Sequence, residues 1–312
     1  MILRNSACLT AACLFAFVQN PATAQRRPML FVYGGGCVSN HVSRFESLMG
    51  RPVDGVLAGM GMSNWVDLQN SLLAAQKCWA TRPARQAIFV PMLVRGATLQ
   101  EGLTGAYDDQ FRRVAATLMR FHRGDAYLRI GWEFNGGWYP WRASANPHAW
   151  VNYFRRISMI FKNTPGAHFQ IVWNPALNKE QIAPDQVYPG DDVVDVIAGD
   201  IYNIRRTPDQ DDPEVRWQSY LQRPYGLEWL ARFGKSHHKP IAIPEWGTGE
   251  NKEHNAPGDD PVFVQRMAAW MKANGVLFHG YWDFNAGDYN SRVSNGRFPK
   301  TADALRKAFG RP

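Results

Sequence analysis

Eight short β-rich runs alternating with amphipathic helical stretches predict an α/β protein built as a single (β/α)8 TIM barrel. Two further observations support closure. A chain of 312 residues without a Ser/Pro/Gly linker, low-complexity tract or internal repeat suits one barrel. Gly34-Gly35-Gly36 also lacks the G-x-G-x-x-G spacing that would open a dinucleotide-binding sheet.

Before the first strand, Arg4, the apolar stretch around Leu9–Val18 and Ala22-Thr23-Ala24 have the order of a secretory leader. Its apolar part is too short to span a bilayer. Residues 1–24 are therefore expected to be removed, residues 25–312 to form the barrel, and the protein to be secreted or periplasmic with no membrane insertion.

The expected strands are Leu30–Tyr33, Gly55–Ala58, Ala87–Leu93, Tyr127–Trp132, Phe169–Trp173, Val193–Tyr202, Pro240–Glu245 and Val276–Trp282. Short apolar runs bounded by turn residues are what buried parallel strands look like in sequence. Between them, Trp65–Trp79, Asp108–His122, Pro147–Lys162, Trp217–Phe233 and Pro261–Ala273 read as crossover helices. Ser39–Met49 is a weaker helix, and Ala302–Phe309 closes the chain.

The formal charge is +8, from 35 Lys and Arg against 27 Asp and Glu, and the leader takes away only Arg4. The basic residues are scattered, as in Arg112-Arg113, Arg155-Arg156 and Arg205-Arg206, which argues against nucleic acid as a partner. A solvated basic surface is the plain reading, and attraction to an acidic polysaccharide the sharper one. A monomer is expected.

Cys8 and Cys13 lie in the leader, leaving Cys37 and Cys78. Export permits a disulfide. Cys37 follows the first strand and Cys78 ends the helix after the second, which would place the two toward opposite ends of the domain and makes a bridge the less favoured of two open readings. With no histidine cluster beside them, they do not form a zinc site.

In such a barrel the chemistry sits at the C-terminal ends of the strands. The fourth run ends at Glu133, inside the aromatic stretch Tyr127–Trp141, and the fifth at Trp173-Asn174. The sixth ends at Asp200 and Tyr202, the seventh at Glu245 and the eighth at Trp282. By period-two alternation Ile241, Ile243 and Glu245 share one face, so Glu245 continues an apolar inward row to the barrel mouth. Carboxyl groups do proton and nucleophilic chemistry while aromatic faces stack on sugar rings, which points to carbohydrate chemistry. The competing reading is a pair of rim acids neutralised by Arg129 or Arg142.

These residues resemble glycoside hydrolase family 26, the β-mannanase family of the clan A barrels. The resemblance rests on W-E-F-N-G-G-W-Y-P-W at Trp132–Trp141, Y-P-G-D-D-V-V-D-V-I at Tyr188–Ile197 leading to Asp200-Ile201-Tyr202, I-P-E-W-G at Ile243–Gly247 and Y-W-D-F-N at Tyr281–Asn285. It implies Glu133 as acid/base, Glu245 as nucleophile and Tyr202 as the group that orients the nucleophile. It further implies Trp138 as a sugar-stacking residue and Trp282 as a platform. Two positions depart from the family pattern: Trp132 stands where histidine is usual and Phe134 where methionine is common. A mannan-like polymer or another β-glycan, such as a bacterial exopolysaccharide, is the expected substrate.

A retaining glycosidase needs one protonated and one ionised carboxyl group ~5–5.5 Å apart. Burial among aromatics and a nearby anion would keep Glu133 protonated, and a hydrogen bond from Tyr202 would hold Glu245 ionised. Trp132 and Asn135, beside Glu133, are candidate substrate contacts. Trp65 either stacks on sugar or starts its helix, and Asn174 either contacts a hydroxyl or caps its loop. His41, His254 and His279 read as structural, and Asp283 and Asp288 as loop acids. Asp191, Asp192, Asp211 and Asp212 lack the alternate spacing of a calcium loop, so no metal or cofactor is expected. The alternative of another class is a barrel that binds carbohydrate without cleaving it.

Overall fold

The computed structural model describes residues 27–37, 39–82 and 84–311. The leader expected at 1–24 lies outside the described residues. In chain order the elements are β1 (Met29–Tyr33), α1 (Ser39–Met49), β2 (Gly55–Ala58), α2 (Trp65–Trp79), β3 (Arg85–Val90), α3 (Leu99–Leu103), α4 (Asp108–Arg120), β4 (Tyr127–Ile130) and α5 (Pro147–Lys162). They continue with β5 (Gln170–Trp173), β6 (Val196–Ala198), β7 (Ile201–Tyr202), α6 (Pro213–Gln222), α7 (Leu227–Ser236), β8 (Ile241–Gly247), β9 (Glu250–Asn251), α8 (Pro261–Ala273), β10 (Phe278–Trp282), β11 (Tyr289–Asn290) and α9 (Pro299–Phe309).

The strands run β1-β2-β3-β4-β5-β6-β8-β10 around a parallel ring that closes from β10 back onto β1. This is the expected (β/α)8 barrel. Its floor is aromatic: Tyr127 and Phe278 face each other at 4.6 Å between ring centres, and Phe31 packs on Phe278 at 4.9 Å. Burying such rings supplies much of the driving force for closure, at ~25 cal/mol per Å² of apolar surface. Among the described residues no helix is long and apolar enough to cross a membrane.

Four expectations need correction. The sixth run is two short strands, because Gly199 and Asp200 leave the ladder, Asp200 bridging to Ala176 instead. The helix expected over Trp217–Phe233 is broken into α6 and α7 at Arg223–Gly226, where Pro224 denies the backbone a donor. The fourth strand stops at Ile130, before Glu133. Cys37 and Cys78 are joined by a disulfide with their Cα atoms 5.9 Å apart. The end of α2 lies against the start of α1: Arg82 reaches Glu46 and Ser43, and Gly34 packs on His41 and Val42, so Cys37 is carried outward to meet Cys78.

Candidate active site

The turn after β4 is shaped by Gly131, at φ +53°, where a Cβ would lie 2.3 Å from the Met92 sulfur. Glu133 itself is left-handed, at φ +51°, a conformation that costs a non-glycine residue of order 1 kcal/mol or more. The cost is offset by fixed contacts: the Glu133 N–H donates to the Asn174 carbonyl at 2.7 Å, and the Trp141 indole donates to the Trp132 carbonyl at 2.9 Å. Glu133 therefore points into a cleft of about 520 Å³ that it shares with Trp138, Tyr139, Asp200, Tyr202, Glu245 and Trp282.

The two glutamates sit in opposite surroundings. Glu245 Oε1 accepts from Arg129 at 2.8 Å and Oε2 accepts from the Tyr202 hydroxyl at 2.9 Å. Arg129 is fully buried in the middle of β4, where it also donates to Asp200 at 2.6 Å and to Asn174 at 2.7 Å. Asp200 in turn accepts the Glu245 backbone N–H at 3.0 Å, locking the end of β8. Burial pushes the Asp200 carboxyl up while Arg129 pulls it back. The reading of rim acids paired with Arg129 thus holds for Glu245. It does not hold for Glu133, whose side chain, among the described residues, accepts one hydrogen bond, from the Trp138 indole at 2.8 Å. Burial first, then the charge of Glu245, push Glu133 up to about 8. Burial and the charges of Glu245 and Asp200 raise the Tyr202 hydroxyl well above its ordinary value, so it stays a donor.

The aromatic candidates divide. Trp138 is 53% exposed beside Glu133, and Trp282 lines the cleft stacked on Tyr33 at 4.0 Å, a flat surface of sugar-ring size. Trp132 is buried; its indole donates to the Tyr139 hydroxyl at 3.0 Å, so Tyr139 presents the polar edge that Trp132 does not. Trp65 lies outside the cleft, packed on Tyr107 and Phe111 at the start of α2, as its helix-starting alternative had it.

Asn135 and Asn174 are corrected as substrate contacts. Both are fully buried. Asn135 spends its amide on the backbone of Ala176 and Asn178, tying two rim loops together. Asn174 holds Arg129 and the Pro175 carbonyl. Asp283 is a loop acid, accepting from the Val293 and Ser294 N–H groups, while Asp288 lines the cleft. His279 accepts from the Trp246 indole, and burial drives it down to about 3. Asp191, Asp192 and Asp211 are spent on His237, Arg155 and Arg205. Tyr139, Arg206 and Arg223 line the cleft and were not singled out from sequence.

Solved structures share this architecture. The modular endo-β-1,4-mannanase of Cellulomonas fimi superposes with a TM-score of 0.65 at 14% identity, over 90% of this chain and 70% of that one. The catalytic domain of the endo-β-1,4-mannanase of Bacillus sp. JAMB-750 gives 0.62 at 12%, over 91% and 87%. The β-mannanase of a symbiotic protist of the termite Reticulitermes speratus, solved with a gluco-manno-oligosaccharide, gives 0.60 at 15%, over 91% and 87%. At these identities the likeness establishes the fold. No curated protein matches the chain in sequence. The barrel has the build of these β-mannanases. Residues 113–213, from within α4 past Glu133 to Tyr202 and the start of α6, match the model of glycosyl hydrolase family 26.

Proposed function

We propose that the protein is a secreted, retaining endo-β-glycanase in which Glu245 is the nucleophile and Glu133 the acid/base. The observation that carries this reading is the opposite treatment of the two carboxyls: Glu245 holds an arginine and a tyrosine hydrogen bond, and Glu133 is pushed up to about 8. Two titratable groups whose surroundings drive them apart are suited to acid and nucleophile roles in one site.

Glu245 attacks the anomeric carbon as the glycosidic C–O bond breaks, and the leaving oxygen takes the proton of Glu133. Glu133, now a carboxylate, removes a proton from water. That water attacks the same carbon and expels Glu245, so the configuration is retained. Tyr202 and Arg129 hold Glu245 aimed by their hydrogen bonds, and Trp138 and Trp282 offer faces for sugar rings.

Glu245→Ala should abolish turnover and be rescued by azide, giving a glycosyl azide of inverted configuration, whereas Glu133→Ala should still cleave aryl glycosides with good leaving groups. Wild-type rates on a polysaccharide in either variant would remove the assignment. The substrate we favour is a β-linked polymer other than plain β-1,4-mannan. Beside Glu133 the cleft meets the Tyr139 hydroxyl, backed by buried Trp132, in place of the family's histidine. A changed hydrogen-bonding group next to the reacting bond shifts preference between sugars strongly. Initial rates on mannan, glucomannan, mixed-linkage glucan, xylan and bacterial exopolysaccharides decide this, and mannan as the best substrate by a wide margin would overturn it.

A further inference from the structure

The break between α6 and α7 has a consequence for the cleft. Arg223 caps α6, Pro224 stops the helix, Tyr225 is left-handed at φ +59°, and a Cβ on Gly226 would lie 2.5 Å from the Tyr220 carbonyl. This tight and strained turn delivers Arg223 into the wall of the cleft that holds Glu133 and Glu245. Its guanidinium lies over the Tyr220 ring, 5.0 Å from the ring centre. Among the described residues Arg223 forms no ion pair, and its Nε is buried without a hydrogen-bond partner.

The neighbouring charges do not satisfy it. Arg206 lines the same cleft and reaches Glu180 at 3.5 Å, while Glu180 also accepts from the Asn178 amide at 3.0 Å. Two guanidinium groups therefore face one carboxylate that is already engaged. Burial first, then the charge of Arg206, bring Arg223 down to about 10, and Tyr220 and Glu180 offset this only in part. Of the remaining cleft acids, Asp200 and Glu245 are paired with Arg129, Glu133 is held by the Trp138 indole, and Glu253 and Asp288 come from the loops around β9 and β11.

We infer that Arg223, with Arg206 beside it, forms a subsite for a carboxylate-bearing sugar, a hexuronate unit of the glycan. A planar guanidinium fork matches a carboxylate in geometry and charge, and a partly desolvated site strengthens that pairing. The inference rests on the glycanase reading for its placement along a glycan, and it names the substrate class as acidic.

Binding of D-glucuronate and D-glucose to the full protein, followed by saturation-transfer NMR titration, tests it without requiring turnover. Glucuronate should bind at least roughly tenfold more tightly than glucose at ~0.05 M salt, and the gap should shrink at ~0.5 M salt. Arg223→Gln should close the gap while thermal unfolding shows the barrel intact, and Arg223→Lys, which keeps the charge and loses the fork, should fall between. Equal affinity for the two sugars, or an undiminished gap in Arg223→Gln, would overturn the subsite. A neutral glycan hydrolysed without glucuronate selectivity removes the subsite alone; glucuronate selectivity with no hydrolysis of any glycan keeps the subsite and removes the catalytic reading.

Discussion

Arg129→Met removes the cation buried between Asp200 and Glu245 and leaves both side chains with an apolar neighbour. Breaking a buried pair by deleting one partner costs about 3–5 kcal/mol, because the remaining charge stays desolvated. For a barrel of this size, with just under ~2 °C of Tm per kcal/mol, the loss corresponds to roughly 5–8 °C. The sign of its pH dependence follows from Asp200. Burial holds its folded pKa above the ordinary 3.8, and in the variant Arg129 no longer pulls it back. A group raised on folding contributes stability below its unfolded pKa and loses it as pH rises through the folded value. The deficit of Arg129→Met should therefore be largest at neutral and alkaline pH and shrink in acid, where Asp200 binds a proton and needs no cation. Thermal unfolding of both proteins between about pH 4 and pH 8 measures this. A Tm loss under ~3 °C, or one independent of pH, would refute the claim that this arginine neutralises buried acids.

Other outcomes follow from the same site. Tyr202→Phe removes the hydroxyl that donates to Glu245 and should lower kcat by roughly 10- to 100-fold with little change in Tm, since a hydrogen bond to a charge is worth about 1.5–3 kcal/mol. Activity should fall as pH rises through about 8, where Glu133 loses its proton, and a kcat/KM profile already falling near pH 5 would contradict this. The Trp138 indole favours the Glu133 carboxylate, so Trp138→Phe should move that alkaline limb to higher pH. Trp138→Ala should in addition lose on the order of 1–3 kcal/mol of transition-state binding, read as kcat/KM, while the barrel melts as before.

The barrel was legible because eight apolar runs and their crossover helices follow a strict alternation, and Glu133 and Glu245 because each stands at the end of such a run among aromatics. What escaped depends on how loops fold back. Asn135 and Asn174 look like solvent-facing amides in sequence, yet Asn135 is consumed by the backbone of the facing loop and Asn174 by Arg129 and the neighbouring Pro175 carbonyl. Trp65 stands at a strand-to-helix turn, as a cleft residue would, and the neighbouring helix supplies Tyr107 and Phe111 to cover it. The role of Arg129 had one visible signal, a charge in the middle of a buried strand. Its partners Asp200 and Glu245 lie 71 and 116 residues away, and only barrel closure brings them together. Pro224 marked the break in the expected helix at Trp217–Phe233, but the amphipathic pattern continues across it and concealed the turn that carries Arg223.

The central claim is that Glu133 and Glu245 act as acid/base and nucleophile in a double displacement. The most direct test is the anomeric configuration of the first product, read by proton NMR in the minutes before mutarotation, on the glycan that the substrate panel selects. The account predicts the β-anomer first, with the α-anomer growing in only as mutarotation proceeds. The α-anomer appearing first would mean inversion, which requires carboxyl groups ~6.5–9.5 Å apart and a water in place of the glycosyl–Glu245 intermediate, and would contradict it.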